Sequence, residues 1–457
     1  MAVDARSDAS SVALLDGSPP LSQAPVHQLG LVRDPYQQAT SLIVHAAVVL
    51  VGLDFGIGAG ISATLPVALV LLPLWLRSLR AYALAPVIAG LMVACVASGI
   101  ALSSFAAQDH SINASSRSQM LGLLLSGAAG FCLILWARRE IPLHRVVALY
   151  GLGGVMGALA DGRVSWKYGV ALPATFLVLG ILEGSGSRLR CVVAVTALGF
   201  IGALDDYRSY FAFCLLAATL TVWQMRPVAE GRPQNRWWPA FLIAGMASAM
   251  YLLTSALLTA GYLGAEVQQR TSEQIEASGS LIAGGRPEWA ATFQLMRLKP
   301  SGYGVGVVPN LEDVHTAKAG LESINIGLNP ARDRYMFGSE FRLHSIIADL
   351  WVRYGVIGLA LAATILVGVV RGLSFSLAER QAPTSIILAA LLALWSLPFE
   401  PSYTYWVRVC VAVALVLVPR TRSRPSLRRP VTGSIRGWAG ATPRGRRPSV
   451  DRATDPG

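Results

Sequence analysis

Arg286, Trp289, a Gly302-x-Gly304-x-Gly306 run and His344 follow one another through a polar stretch set between two apolar halves of the chain. A guanidinium is planar, stays charged at any working pH and offers a fork of donors that fits phosphate oxygens. The ordinary alternative for Arg286 is a loop salt bridge, for instance to Glu288. A neutral imidazole can take a proton from a hydroxyl. If a helix begins at His344, its N-terminal dipole disfavours the imidazolium and keeps the ring neutral. A lone histidine is otherwise usually structural.

Two further groups surround these residues. Asp205-Asp206-Tyr207-Arg208-Ser209 puts three charges in one tight turn, either a solvated connection or a device that aims Arg208 over a cavity. Asp349 and Arg353 stand four apart, on one face of a helix. Such a pair either fixes packing or faces a polar cavity. The glycine run resembles a phosphate loop only superficially, because no strand precedes it and no Gly-Lys-Ser follows. Its glycines fit a tight turn and close backbone approach.

The elements that must position these residues belong to a membrane. Of the 457 residues, 53% are hydrophobic and 14% charged, too few charges to cover a soluble surface of this size. Mean hydropathy is +0.51. About twelve apolar runs have the length of a membrane span. They centre near Val48, Ala68, Leu91, Leu125, Gly153, Phe176, Thr196, Ala217, Ala247, Ile357, Leu391 and Ala414. Arginines follow every even-numbered run, which puts both termini in the cytoplasm and the polar stretch outside. The expected organisation is a polar, disordered N-terminus over 1–38, nine spans over 39–261, an extracytoplasmic loop over 262–343, three spans over 344–419 and a basic cytoplasmic tail over 420–457. Glu288 to Lys299 is expected to be helical, with Trp289, Phe293 and Met296 on one side.

The net charge of +12 gathers in that tail, where ten arginines follow Pro419. A disordered tail obeying the positive-inside rule explains it, and contact with anionic membrane lipids is the sharper reading. Nucleic-acid binding is excluded for want of a folded reading module. The five cysteines lie in apolar runs without metal-ligand spacing and read as core residues.

Taken in order, a loop Arg and Trp, a Pro with Gly-x-Gly-x-Gly, then a His followed eleven residues later by Gly-x-x-Gly resemble the O-antigen ligase and Wzy-type polysaccharide polymerase family. Arg208-Ser209 resembles the Ser-Arg turn of that family, and Ser116-Arg117 is a second candidate for it. The resemblance covers roughly Asp205 to Leu359 and implies an all-α, GT-C-like membrane fold. It also implies an inverting, metal-independent glycosyltransferase without cofactors in the cytoplasmic membrane of a bacterium. The donor would be glycan on undecaprenyl diphosphate, and the acceptor a glycan or a lipid. Arg208 and Arg286 would grip the diphosphate and His344 would serve as base, with Trp289, Asp349 and Arg353 in support. A further partner would control chain length. Ser345 and Arg353 stand where the family commonly has Asn and an acidic residue. The rival reading is a multi-span transporter or flippase for lipid-linked glycan or a solute. It explains the span count but not the long loop leading to His344.

Overall fold

The computed structural model describes residues 35–226, 286–325 and 330–420, with scattered helical positions between 241 and 276. Eleven of the twelve expected centres fall inside helices, and the one near Ala247 lies outside the described residues. In chain order the helices are α1 (Pro35–Leu53), α2 (Thr64–Val70), α3 (Leu72–Leu79), α4 (Ala85–Ala106), α5 (Ala114–Glu140), α6 (Leu143–Ala160), α7 (Ala171–Gly184), α8 (Arg188–Leu204) and α9 (Arg208–Gln224). After the gap come α10 (Glu288–Leu298), α11 (Leu311–Glu322), α12 (Pro330–Phe337), α13 (Ile346–Ala378), α14 (Thr384–Phe399) and α15 (Ser402–Val416). The strands of one small antiparallel hairpin, β1 (Gly56–Gly58) and β2 (Ile61–Ser62), join α1 to α2.

Among the described residues, five segments are long and apolar enough to cross a membrane: α4, α5, α6, α7 with the turn leading into it, and α13. Large apolar side chains such as Leu69, Val93, Phe105, Val193, Phe200 and Val367 point outward from the bundle, as a lipid-facing surface requires. This is the architecture of an all-α, multi-pass membrane protein. The run around Ala68 departs from expectation. It is two short helices, because Pro73 in the first turn of α3 has no N–H to continue the ladder across Leu71. All five cysteines are free and buried, as expected of core residues.

The helix ends sort to two faces. At one face, arginines satisfy the last carbonyls of neighbouring helices. Arg138 donates to the carbonyls of Ala414 (2.5 Å) and Leu417 (3.0 Å), and Arg188 to that of Arg380 (2.6 Å). Arg380 in turn donates to the carbonyl of Arg226. The basic exits seen in the sequence therefore bind helix ends as well as carrying charge. The opposite, loop-bearing face carries the polar segment from Arg286 to Ser345.

That segment is fastened by its glycines. The turn from Lys299 to Val308 runs between α4, α5 and α13. The Tyr303 and Gly304 N–H groups both donate to the Val352 carbonyl (2.8 and 2.9 Å), and the Asn113 N–H donates to the Gly306 carbonyl (2.7 Å). Ser103 Oγ donates to the Val305 carbonyl (2.7 Å). Gly302, Gly304 and Gly306 all have left-handed φ, at 83°, 115° and 74°. A Cβ on Gly304 would come within 2.4 Å of the Ser103 nitrogen, and one on Gly302 within 2.5 Å of the Trp351 carbonyl. The close-approach reading of the run is thus the one the backbone adopts. Gly355 answers it from α13, kinking the helix at φ 61° where Ser301 abuts.

Gly304→Val is expected to destabilise the protein by several kcal/mol, since strain at positive φ (about 1–2) and overpacking (about 1–3) add. Gly90→Val, where a new Cβ meets nothing within 4 Å, is expected to leave stability nearly unchanged. Thermal unfolding of both variants in one detergent checks the contrast.

Candidate functional site

His344 stands between the loop and α13. It is one residue outside the helix, whose N-cap is Ser345, with its hydroxyl accepting the Ala348 N–H (3.3 Å). The expectation that a helix starts at His344 is corrected by one turn's detail: its φ of 50° is left-handed and takes it out of the helical path. Both neighbours are anchored. The Leu343 N–H donates to Asp349 Oδ1 (3.1 Å), and Ser345 Oγ donates to the Leu397 carbonyl at the end of α14 (3.3 Å).

Asp349 serves three elements at once. Its Oδ2 accepts the Ser402 N–H that opens α15 (3.0 Å) and faces Arg353 Nη1 at 3.6 Å. Arg353 continues to Ser402 Oγ (2.5 Å) and the Phe341 carbonyl (3.4 Å). Asp349 and Arg353 are 1% and 4% exposed, so neither could reach a substrate as they stand. Of the two readings of this pair, the fixing of packing is the one its contacts fit.

The half-buried imidazole is held by Tyr335 on α12, whose hydroxyl lies 2.9 Å from His344 Nδ1, and the Tyr403 hydroxyl lies 3.4 Å further on. Burial holds the His344 pKa below the ordinary histidine value, and the Arg286 guanidinium pushes it the same way. Glu288 and Asp349 oppose both. The neutral ring expected from a helix dipole is therefore favoured, but mainly by desolvation and a neighbouring cation. Burial likewise raises the Tyr335 pKa, so its hydroxyl keeps its proton.

Arg286 precedes α10, which forms where expected. Trp289 rests on Phe293 (5.5 Å between rings) and donates from Nε1 to the Pro398 carbonyl (3.0 Å), docking α10 against the end of α14. The side shared by Trp289, Phe293 and Met296 is not the buried one: Ala291, Thr292 and Leu295 face the core and Phe293 is exposed. The Arg286 side chain forms no hydrogen bond or ion pair with any described residue, so the alternative of a salt bridge to Glu288 is not the one formed. Its charge acts on His344, on Tyr405 and on Glu400, a carboxyl between α14 and α15. Burial raises the Glu400 pKa against the pull of Arg286 and a hydrogen bond from Trp395 (3.3 Å).

Arg208 does not join this group. Its Nε donates to Asp206 (2.8 Å), its side chain is half exposed, and it is absent from the charges acting on His344. Asp206 is neutralised further by Lys167 at 3.6 Å. The solvated-turn reading describes this contact set. Arg117, the other candidate, is exposed beside Gly306.

Glu400, Tyr335 and Tyr403 were not singled out from the sequence. Only Glu400 left a signal there, as a lone carboxylate before Pro401 between two apolar runs. A second polar knot, His110 between Asp109 (2.6 Å) and Asp313 (2.8 Å), ties the end of α4 to the capping box of α11. Among the described residues, no three His, Cys, Asp or Glu side chains cluster to hold a metal ion. Comparison with family models, curated proteins and solved structures finds no match for this chain.

Two measurements test this geometry. Asp349→Ala leaves the Arg353 charge buried and is expected to cost roughly 3–5 kcal/mol, against at most about 1 for the exposed Arg208→Ala, read by thermal unfolding. Acylation of His344 by diethyl pyrocarbonate, followed by mass spectrometry, is expected to be half-maximal below pH 6.5, the ordinary histidine value. In Arg286→Gln that midpoint is expected to move up, because a charge that disfavours the imidazolium is gone.

Proposed function

We propose that this chain is a membrane glycosyltransferase of the O-antigen ligase or polysaccharide polymerase type, acting at the outer face of the bacterial cytoplasmic membrane. It takes glycan from an undecaprenyl-diphosphate donor and passes it to a glycan or lipid acceptor. The observation that carries the reading is the meeting of Arg286 and His344. Fifty-eight positions apart (344 − 286), they share one site, with the cation unpaired among described residues and the imidazole biased to its neutral form. Those are the states in which an arginine can receive a phosphate and a histidine can receive a proton.

The chemistry follows from the contacts. In the tautomer in which His344 Nδ1–H donates to Tyr335, and the Tyr335 hydroxyl to Tyr403, Nε2 carries the free lone pair. Nε2 takes the proton as the acceptor hydroxyl attacks the anomeric carbon. The bond to the diphosphate breaks on the opposite side, inverting that centre. Arg286 stabilises the charge that grows on the departing diphosphate.

Topology supports the reading in finer detail. The described helices run alternately between the two faces, with α2 and α3 sharing one crossing. The chain leaves the arginine face at Arg226, and Arg286 stands on the loop face. Counting the apolar run near Ala247 from the sequence gives twelve spans with both termini on the arginine face. The positive-inside rule makes that face cytoplasmic. A GT-C-like arrangement with one large outer loop is the corresponding fold.

Arg286→Ala and His344→Ala are each expected to lower transfer at least about 100-fold, the lower range for loss of a general base. Purified protein given a lipid-diphosphate oligosaccharide without added metal checks this. Growing chains identify a polymerase, and transfer only to a lipid identifies a ligase. Wild-type rates in both variants would overturn the reading. In cells, lipid-linked units stranded on the cytoplasmic side would favour a flippase instead.

A further inference from the structure

On the other side of α15 lies a cavity of about 80 Å³, bounded by α1, α6, α7, α14 and α15. That volume is well above the roughly 10–15 Å³ that one water needs. Asp54, Arg163, Tyr405 and Arg408 gather at its loop-face end. Apart from Tyr150 and Ser396 the rest of the wall is apolar, with Leu172 and Phe176 from α7 and Leu415 from α15. Arg408 and Leu415 are seven positions apart (415 − 408), roughly 10 Å along the helix. The cavity therefore has a charged mouth and a hydrocarbon depth.

Arg408 is the unusual member. It lies inside an apolar helix and is only partly exposed. Its side chain makes no hydrogen bond or ion pair with any described residue; its contact is the face of Tyr405, 5.4 Å from the guanidinium. Asp54 lines the same cavity without bonding to it. A cation among apolar helices is costly unless something in a cavity answers it. Arg163 is tied to Asp161 through one nitrogen of its fork, and the others remain available.

We propose that this cavity is a binding site for the phosphate of a lipid. Arg408 and Arg163 hold the phosphate oxygens against the opposing charges of Asp54 and of Asp161, which Arg163 also binds. The hydrocarbon chain runs along the apolar wall beside α15. The shared chemistry is a phosphate joined to an aliphatic tail, whether from a phospholipid or from a prenyl diphosphate. The assignment uses no residue of the His344 site and does not depend on the transferase reading.

Phenylglyoxal labelling of Arg408 in the full-length protein, in a neutral detergent and read by mass spectrometry, tests it. Phosphatidylglycerol or a prenyl diphosphate is expected to slow labelling roughly tenfold, the worth of one charge-assisted phosphate contact. Inorganic phosphate at the same concentration is expected to give little protection. Protection by the phospholipid alone assigns a structural lipid, and protection by the prenyl diphosphate alone assigns a carrier lipid; either supports the site. Unchanged labelling with both lipids, or equal protection by inorganic phosphate, overturns it. Lipid phosphorus carried through purification is also expected to fall in Arg408→Gln and not in Arg208→Gln. Should Arg408→Gln fail to fold, the wild-type labelling decides alone.

Discussion

The loop face depends on one buried carboxylate. Asp349 accepts the N–H of Leu343 and the N–H of Ser402 and stands against Arg353. Through these contacts a single side chain fixes where the loop ends, where α13 begins and where α15 starts. A lone buried anion would be strongly disfavoured, and a buried ion pair alone barely breaks even against its desolvation. Two backbone donors and the guanidinium together make the ionised form tolerable. In return Arg353 is held by Ser402 and the Phe341 carbonyl, so the pair closes into one network of loop, α13 and α15.

His344 is the residue whose backbone most needs this network. A non-glycine residue at φ 50° carries strain of order 1–3 kcal/mol, which persists only when its surroundings over-determine it. Here Leu343 is fixed on one side and Ser345 on the other, while Tyr335 holds the ring. The left-handed turn takes the imidazole out of the helical path and towards α12 and α15. A histidine one residue later would be the N-cap of α13, its side chain turned to the helix's own amides.

The helices were legible because lipid-length apolar runs leave little choice of structure. The glycine turn was legible too, since three alternate glycines without a following Gly-Lys-Ser suit backbone contact better than phosphate. What the sequence could not give was partnership. Arg208 and Arg286 look alike as letters. Asp206 sits two residues from Arg208 and takes it, whereas Glu288, also two residues from its arginine, does not. Glu400 and Tyr335 reach the site only because α12, α14 and α15 converge there, and no local spacing records a convergence of that kind. Which face of α10 is buried was likewise not written in its large apolar residues: the helix packs through the smaller Ala291, Thr292 and Leu295, which allow closer approach.

The arginines show how one residue type divides its labour by the partner it finds. On the arginine face they end on carbonyls, where the negative ends of helices welcome them. Arg163 and Arg208 end on aspartates two positions away, and Arg353 on a buried carboxylate. Arg286 and Arg408 end on none of these, yet both act on Glu400 and Tyr405 from either side of the start of α15. The outer half of α15 is thus a partition between two cationic sites. Ser402 and Tyr403 face the network around Asp349 and His344, and Arg408 lines the cavity beyond. Glu400, at the partition's edge, feels both cations. An anion at either cation would weaken the pull that opposes burial at Glu400 and push its pKa further up.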